Sequence, residues 1–163
     1  MSGKPVSGNT VSTAIRPFAA SLPMALLQAR ESAMRLFRPM LAEHDLTEQQ
    51  WRVLRALAAT PHGDRDGALE IGEIAEATFL LGPSLTRILA NLADRGLIDR
   101  QPVADDARRA SISLTRAGTD LVDEVAPHSE RIYGDIEAAF GATELADLIT
   151  RLNGLRNDLG ALE

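Results

Sequence analysis

Ile74-Ala75-Glu76-Ala77-Thr78-Phe79-Leu80-Leu81-Gly82-Pro83-Ser84-Leu85-Thr86-Arg87-Ile88-Leu89-Ala90-Asn91-Leu92-Ala93-Asp94-Arg95-Gly96 reads as two helices joined by a tight turn. Ile74 to Thr78 is the short helix, and Phe79-Leu80-Leu81-Gly82 turns the chain. Pro83 opens the longer helix: its missing N–H falls in a first turn that has no intrahelical partner, and its fixed φ is already helical. Gly96 closes it, because the residue just past a helix end commonly takes a left-handed conformation that glycine adopts without strain. Leu85, Ile88, Leu89 and Leu92 recur at three- and four-residue steps and predict a buried row. Ser84, Thr86, Arg87, Asn91 and Arg95 occupy the other face.

Moving outward, Leu97-Ile98-Asp99-Arg100-Gln101 reads as a strand, Pro102 to Arg109 as a charged loop, and Ala110-Ser111-Ile112-Ser113-Leu114 as the returning strand. Upstream, Leu69 and Ile71 alternate like a strand, and His62 to Gly67 form a polar, glycine-bounded loop. Thr47-Glu48-Gln49-Gln50 fits a capping box; the helix it opens is expected to bury Trp51, Leu54, Leu57 and Ala58 and to stop before Pro61. Short helix, turn, longer helix and hairpin is the winged helix-turn-helix layout. An α-helix fits the major groove of DNA with its N-terminal residues at base edges, while the preceding helix crosses the backbone. The candidate DNA contacts on the longer helix are therefore Pro83, Ser84, Thr86, Arg87 and Asn91. The loop between the strands adds Asp106, Arg108 and Arg109, and an arginine at a hairpin tip can enter the minor groove, where negative potential is concentrated. Layout alone also admits a winged helix that docks protein instead of DNA.

The flanks are helical. Before the capping box, Leu27, Arg30, Met34, Phe37 and Leu41 form one row, with Leu22, Leu26, Ala29, Ala33 and Leu36 beside it. After Thr115, a long helix carries Ala117, Leu121, Val125, Ile132, Ile136 and Phe140, with Pro127 expected to kink it, and a last helix runs from about Thr143 to Leu159. These rows exceed what one small core needs, so the outer helices are expected to pair with a second copy; an intrachain helical cap is the alternative. The expected organisation is a flexible arm over 1–20, a dimerisation helix over 21–46, the winged domain over 47–116 and dimerisation helices over 117–163. The fold class is mainly α with a small β-hairpin.

Composition narrows the function classes. The 163 residues, 45% of them hydrophobic, suffice for a folded core. No apolar run approaches the roughly 18 residues of a membrane span, and the polar first twenty residues lack a signal-peptide core, so a cytoplasmic protein with no membrane partner is expected. The absence of cysteine excludes disulfides, thiolate metal sites and Cys nucleophiles. The net charge of −6 is unevenly spread: residues 117–163 hold ten acidic against three basic side chains, whereas 84–116 hold six basic against four acidic. The overall acidity thus describes the C-terminal end and says little about a binding face. No phosphate-binding glycine loop, nucleophile elbow or His-Glu-x-x-His is present, and His44, His62 and His128 share no ligand spacing. No catalytic residue, metal or cofactor is expected.

Leu69-Glu70-Ile71-Gly72-Glu73-Ile74-Ala75, Gly82-Pro83-Ser84-Leu85-Thr86-Arg87-Ile88-Leu89, Arg95-Gly96-Leu97-Ile98 and Asp106-Ala107-Arg108-Arg109 through Leu114-Thr115 resemble the MarR family of bacterial regulators. Leu22 to Glu31, Phe37-Arg38-Pro39 and Leu46 to Val53 are similar to its subgroup of repressors of homoprotocatechuate (4-hydroxyphenylacetate) degradation operons. The resemblance spans about residues 22–125. It implies a homodimer whose two winged domains straddle a pseudo-palindromic operator in double-stranded DNA. It also implies release by a small phenolic or aromatic carboxylate bound between the dimer helices and the winged domain. The family's wing arginine falls on Arg108 and its wing aspartate on Asp106, which would orient a neighbouring arginine by a charge-assisted bond. Ala104 and Ala107 stand where many relatives carry basic or polar residues. For the effector, the sequence offers Arg30, a guanidinium on an apolar row that calls for an anionic partner, together with His44 and Trp51. Each also has an ordinary structural reading: a salt bridge for Arg30, a helix-end contact for His44, a core position for Trp51.

Overall fold

The computed structural model describes residues 17–60, 67–103 and 106–162; for 19, 103 and 106–109 it describes the backbone alone. The expected arm therefore lies outside the described residues up to position 16, and so does the loop at 61–66. Helices α1 (Leu22–Glu43) and α2 (Glu48–Ala58) are followed by β1 (Leu69–Glu70), α3 (Ile71–Thr78), α4 (Gly82–Asp94), β2 (Ile98–Val103), β3 (Asp106–Leu114), α5 (Arg116–Phe140) and α6 (Ala142–Gly160). None of these helices is long and apolar enough to cross a membrane.

The chain divides into two units, with the boundary within α1 after Arg35. In the first, a 3-10 turn over Phe18–Ala20 precedes α1. Leu22, Leu26 and Leu27 are exposed there, Arg30 pairs with Glu31 at 2.7 Å, and Arg35 donates to the Ser32 hydroxyl.

The second unit holds the core. Leu41, Val53, Leu54, Ile74, Leu85, Leu92, Ile112 and Val125 are fully buried, joining every helix from the end of α1 to α5 with the central strand. The row predicted for α4 is buried as expected: Leu85, Ile88, Leu89 and Leu92. Trp51, Leu54 and Leu57 are buried on α2, but Ala58 is exposed. Phe37 packs its ring 5.1 Å from that of Tyr133 on α5.

Local signals set the element ends. The Thr47 capping box is present in both halves: Gln50 N–H donates to Thr47 Oγ1 at 3.2 Å, and Thr47 N–H donates to Gln50 Oε1 at 2.8 Å. Thr47→Ala is expected to lower stability by about 1 kcal/mol, which thermal unfolding would read as a fall of about 3 °C in Tm. Gly96 takes φ +68°, and its N–H and that of Leu97 satisfy the last carbonyls of α4. Helix α5 continues through Pro127 to Phe140.

Two boundaries differ from the sequence reading. Helix α3 starts at Ile71, not Ile74, because Glu70 and Glu73 form a second capping box and leave β1 only two residues. The hairpin strands also run nearly to the tip, with Pro102 paired opposite Ala110 and a register shift just beyond it. The sheet order β1-β3-β2 makes β2 an edge, where a proline need not break a ladder bond.

Candidate nucleic-acid interface and effector cavity

Helices α3 and α4 meet at a turn held from α2. Arg52 donates to the Thr78 carbonyl at the end of α3 (3.0 Å) and to Glu48 (2.9 Å), and the buried Thr78 hydroxyl donates to Ile74 O. Phe79 then adopts the left-handed conformation, φ 53° and ψ 34°. Leu80 turns inward and is buried, whereas Phe79 and Leu81 on either side are 75% and 78% exposed.

On α4, Pro83, Thr86 and Arg87 are exposed and Ser84 is half-buried. The Thr86 hydroxyl donates to Gly82 O at 3.0 Å, which fixes its rotamer while leaving the oxygen able to accept. Arg87 makes no hydrogen bond or ion pair among the described residues, and its guanidinium faces solvent. Asn91 is exposed as well, but Gln50 Nε2 donates to its Oδ1 at 2.6 Å, so α2 sets its orientation. Arg95 leaves this face: its guanidinium donates to the Asp45 carbonyl between α1 and α2. The backbone of β3 carries Asp106, Arg108 and Arg109, whose side chains lie outside the described residues.

The residues expected to bind a ligand are divided between the two units of the chain. Arg30 belongs to the first unit, its side chain 43% exposed beside Glu31, so it has a carboxylate partner within its own helix. His44 is in the second unit with its side chain 9% exposed; Nδ1 lies 3.3 Å from Glu124 Oε1, and its ring is 5.4 Å from that of His128. Trp51, also core, lines a cavity of about 220 Å³ between α2 and α5 with Arg55, Val122, Ala126, Ser129 and others. Arg55 also donates to the Tyr133 hydroxyl at 3.2 Å, Tyr133 itself lying outside the lining of that cavity. Arg55, Ser129 and Tyr133 were not singled out from the sequence. The signal for them was spacing: Arg55 follows Trp51 by four residues and Tyr133 follows Ser129 by four, each pair on one helix face.

A short helix, a tight turn, a core-anchored second helix and a three-stranded antiparallel sheet ending in a hairpin define a winged helix-turn-helix protein. The MarR family model matches residues 44–109. Over 128 residues the chain is 41% identical to the homoprotocatechuate degradative operon repressor of Escherichia coli, covering 78% of this chain and 82% of that one. It is 35% identical to the HTH-type transcriptional regulator FarR of Neisseria gonorrhoeae, covering 87% and 95%. The crystal structure of NadR in complex with 4-hydroxyphenylacetate superposes with a TM-score of 0.73 at 36% identity, covering 83% of this chain and 92% of NadR. The chain belongs to the MarR family of winged-helix transcriptional regulators, as its motifs implied.

Proposed function

We propose that the protein is a homodimeric repressor of an operon for aromatic-compound degradation, released from a pseudo-palindromic operator by a phenolic or aromatic carboxylate. The observation that carries the DNA half is α4. Its buried row locks it to the core, while Pro83, Thr86 and Arg87 stand free on the opposite side. Such a helix can enter a major groove without disturbing the fold. In support of dimerisation, α6 buries no residue and leaves Leu148, Ile149, Leu152 and Leu159 exposed, as α1 leaves Leu22, Leu26 and Leu27. Rows of this kind are normally covered by a partner. The effector reading rests on the α2–α5 cavity: an indole wall and a guanidinium, the latter also bonded to the Tyr133 hydroxyl, suit an aromatic ring carrying a carboxylate. The relative's name and NadR's bound 4-hydroxyphenylacetate point to the ligand class. The proposal includes no catalytic role.

Fluorescence anisotropy at fixed moderate salt tests this reading. The protein would be titrated onto DNA upstream of its own gene and of neighbouring aromatic-degradation operons, with and without 4-hydroxyphenylacetate or homoprotocatechuate. Tight binding relieved by either acid is the expected result. Binding that ignores both acids removes the effector class, and binding no better than to shuffled DNA favours a protein-docking winged helix. Arg108→Ala is expected to weaken operator binding by about 1–3 kcal/mol, the scale of one good base or groove contact. Unchanged affinity would remove Arg108 from the interface.

A further inference from the structure

Phe79 occupies a backbone conformation that ordinarily falls to glycine or asparagine, and a bulky residue there is strained. Its ring is also left in water, as is the Leu81 side chain two residues on, while Leu80 between them is buried and Arg52 pins the preceding carbonyl. The turn is thus firmly held, with two large apolar groups outward and no packing inside the described chain to offset either cost. The pair adjoins the first turn of α4: Leu81 is its N-cap residue and offers no side-chain capping bond, and Pro83 continues the apolar surface. Thr86 and Arg87, both exposed, follow in the next turn of the same helix. A small apolar tip at the start of a DNA-recognition helix has a specific partner to meet. It fits the floor of the major groove, where the thymine 5-methyl is the one apolar group among donors and acceptors.

We infer that Phe79 and Leu81 form a thymine-reading element, packing on thymine methyl groups where the first turn of α4 meets the base edges. This rests on the reading of α4 as a DNA-recognition helix and adds a specificity that the polar residues of α4 do not supply.

The full-length protein would first select a duplex from a random-sequence pool. That duplex would then be compared with the same sequence made with deoxyuridine, which withdraws only the methyl groups. Wild type is expected to bind the deoxyuridine duplex about fourfold more weakly for each contacted methyl, or about fifteenfold where both half-sites supply one. Leu81→Ala and Phe79→Gly should each bring the ratio toward one, and Phe79→Gly should raise Tm by relieving the turn. Equal binding of both duplexes by wild type, or an unchanged ratio in the two variants, overturns the inference and leaves the repressor reading intact. Failure to select any sequence overturns the recognition-helix reading, and this inference with it.

Discussion

Gly118→Ala is expected to cost about 3–5 kcal/mol of stability, at the upper end for a single substitution. Gly118 lies in the first turn of α5, where that helix crosses the base of the wing. A Cβ built there would sit 2.0 Å from the Leu97 carbonyl oxygen and 3.2 Å from a methyl of Leu114. The obstacle is backbone, and that backbone is committed. Leu97 O accepts from Thr115 N–H at 3.1 Å, the Thr115 hydroxyl donates to Gly96 O at 2.6 Å, and Gly118 N–H donates to Thr115 Oγ1 at 3.0 Å. Making room for one methyl group therefore means giving up the N-cap of α5 or the closure of α4 at Gly96. Thermal unfolding followed by circular dichroism should show Tm falling by about 10 °C or more. Gly134→Ala, on the same helix with nothing within 4 Å of the added carbon, is the control and should be neutral or slightly stabilising. A Gly118→Ala protein as stable as wild type would mean that the wing base yields far more readily than its bonds imply.

The same seam shows what could be read from the sequence. Signals confined to a few neighbouring residues were legible: the Thr47 box, Pro83 and Gly96 around α4, and the Thr115 cap all form where their residue types require. The start of α3 was misread because acidic residues cap less conspicuously than hydroxyls, and Leu69 with Ile71 mimics a strand across the Glu70 cap. The wing strands were drawn too short because Pro102 and the charged residues beyond it resemble a loop; only the sheet order, which puts β2 at an edge, makes a proline there acceptable. Of the candidate site, the exposed row of α4 followed directly from the buried one. Partnerships between distant elements did not: Gln50 holding Asn91, Asp45 drawing Arg95 away, Arg55 meeting Tyr133. No periodicity encodes a bond that spans tens of residues. For Arg30 the sequence left two readings, an effector carboxylate or a salt bridge within the protein, and the structure sets Glu31 beside it at 2.7 Å.

Arg55→Ala is expected to weaken the response to an aromatic carboxylate by about 2–3 kcal/mol, a shift of about thirty- to 150-fold in the effector concentration needed. In the α2–α5 cavity Arg55 is the cation beside the Trp51 wall, and its bond to the Tyr133 hydroxyl sets a guanidinium and a phenol O–H side by side. A carboxylate entering there can accept from both, and those charge-assisted bonds are lost when the guanidinium is removed. Arg55→Lys should recover only part of the response, because an ammonium lacks the fork that meets a carboxylate at two points. Tyr133→Phe removes one neutral donor and should cost about 1 kcal/mol. Trp51→Ala is the wrong probe: the buried indole belongs to the core, and its loss would cost about 3–5 kcal/mol of stability and confuse the readout. Because coupling between two ligands is reciprocal, saturating operator DNA should weaken effector binding to wild type by the factor by which the effector weakens DNA binding. Operator affinity without effector should remain within about twofold of wild type in Arg55→Ala, since Arg55 lies on α2 and faces α5, not on α4. Arg30→Ala serves as the comparator, with its response expected to be unchanged. A full response in Arg55→Ala together with a lost one in Arg30→Ala would move the effector site from the α2–α5 cavity to the first helix.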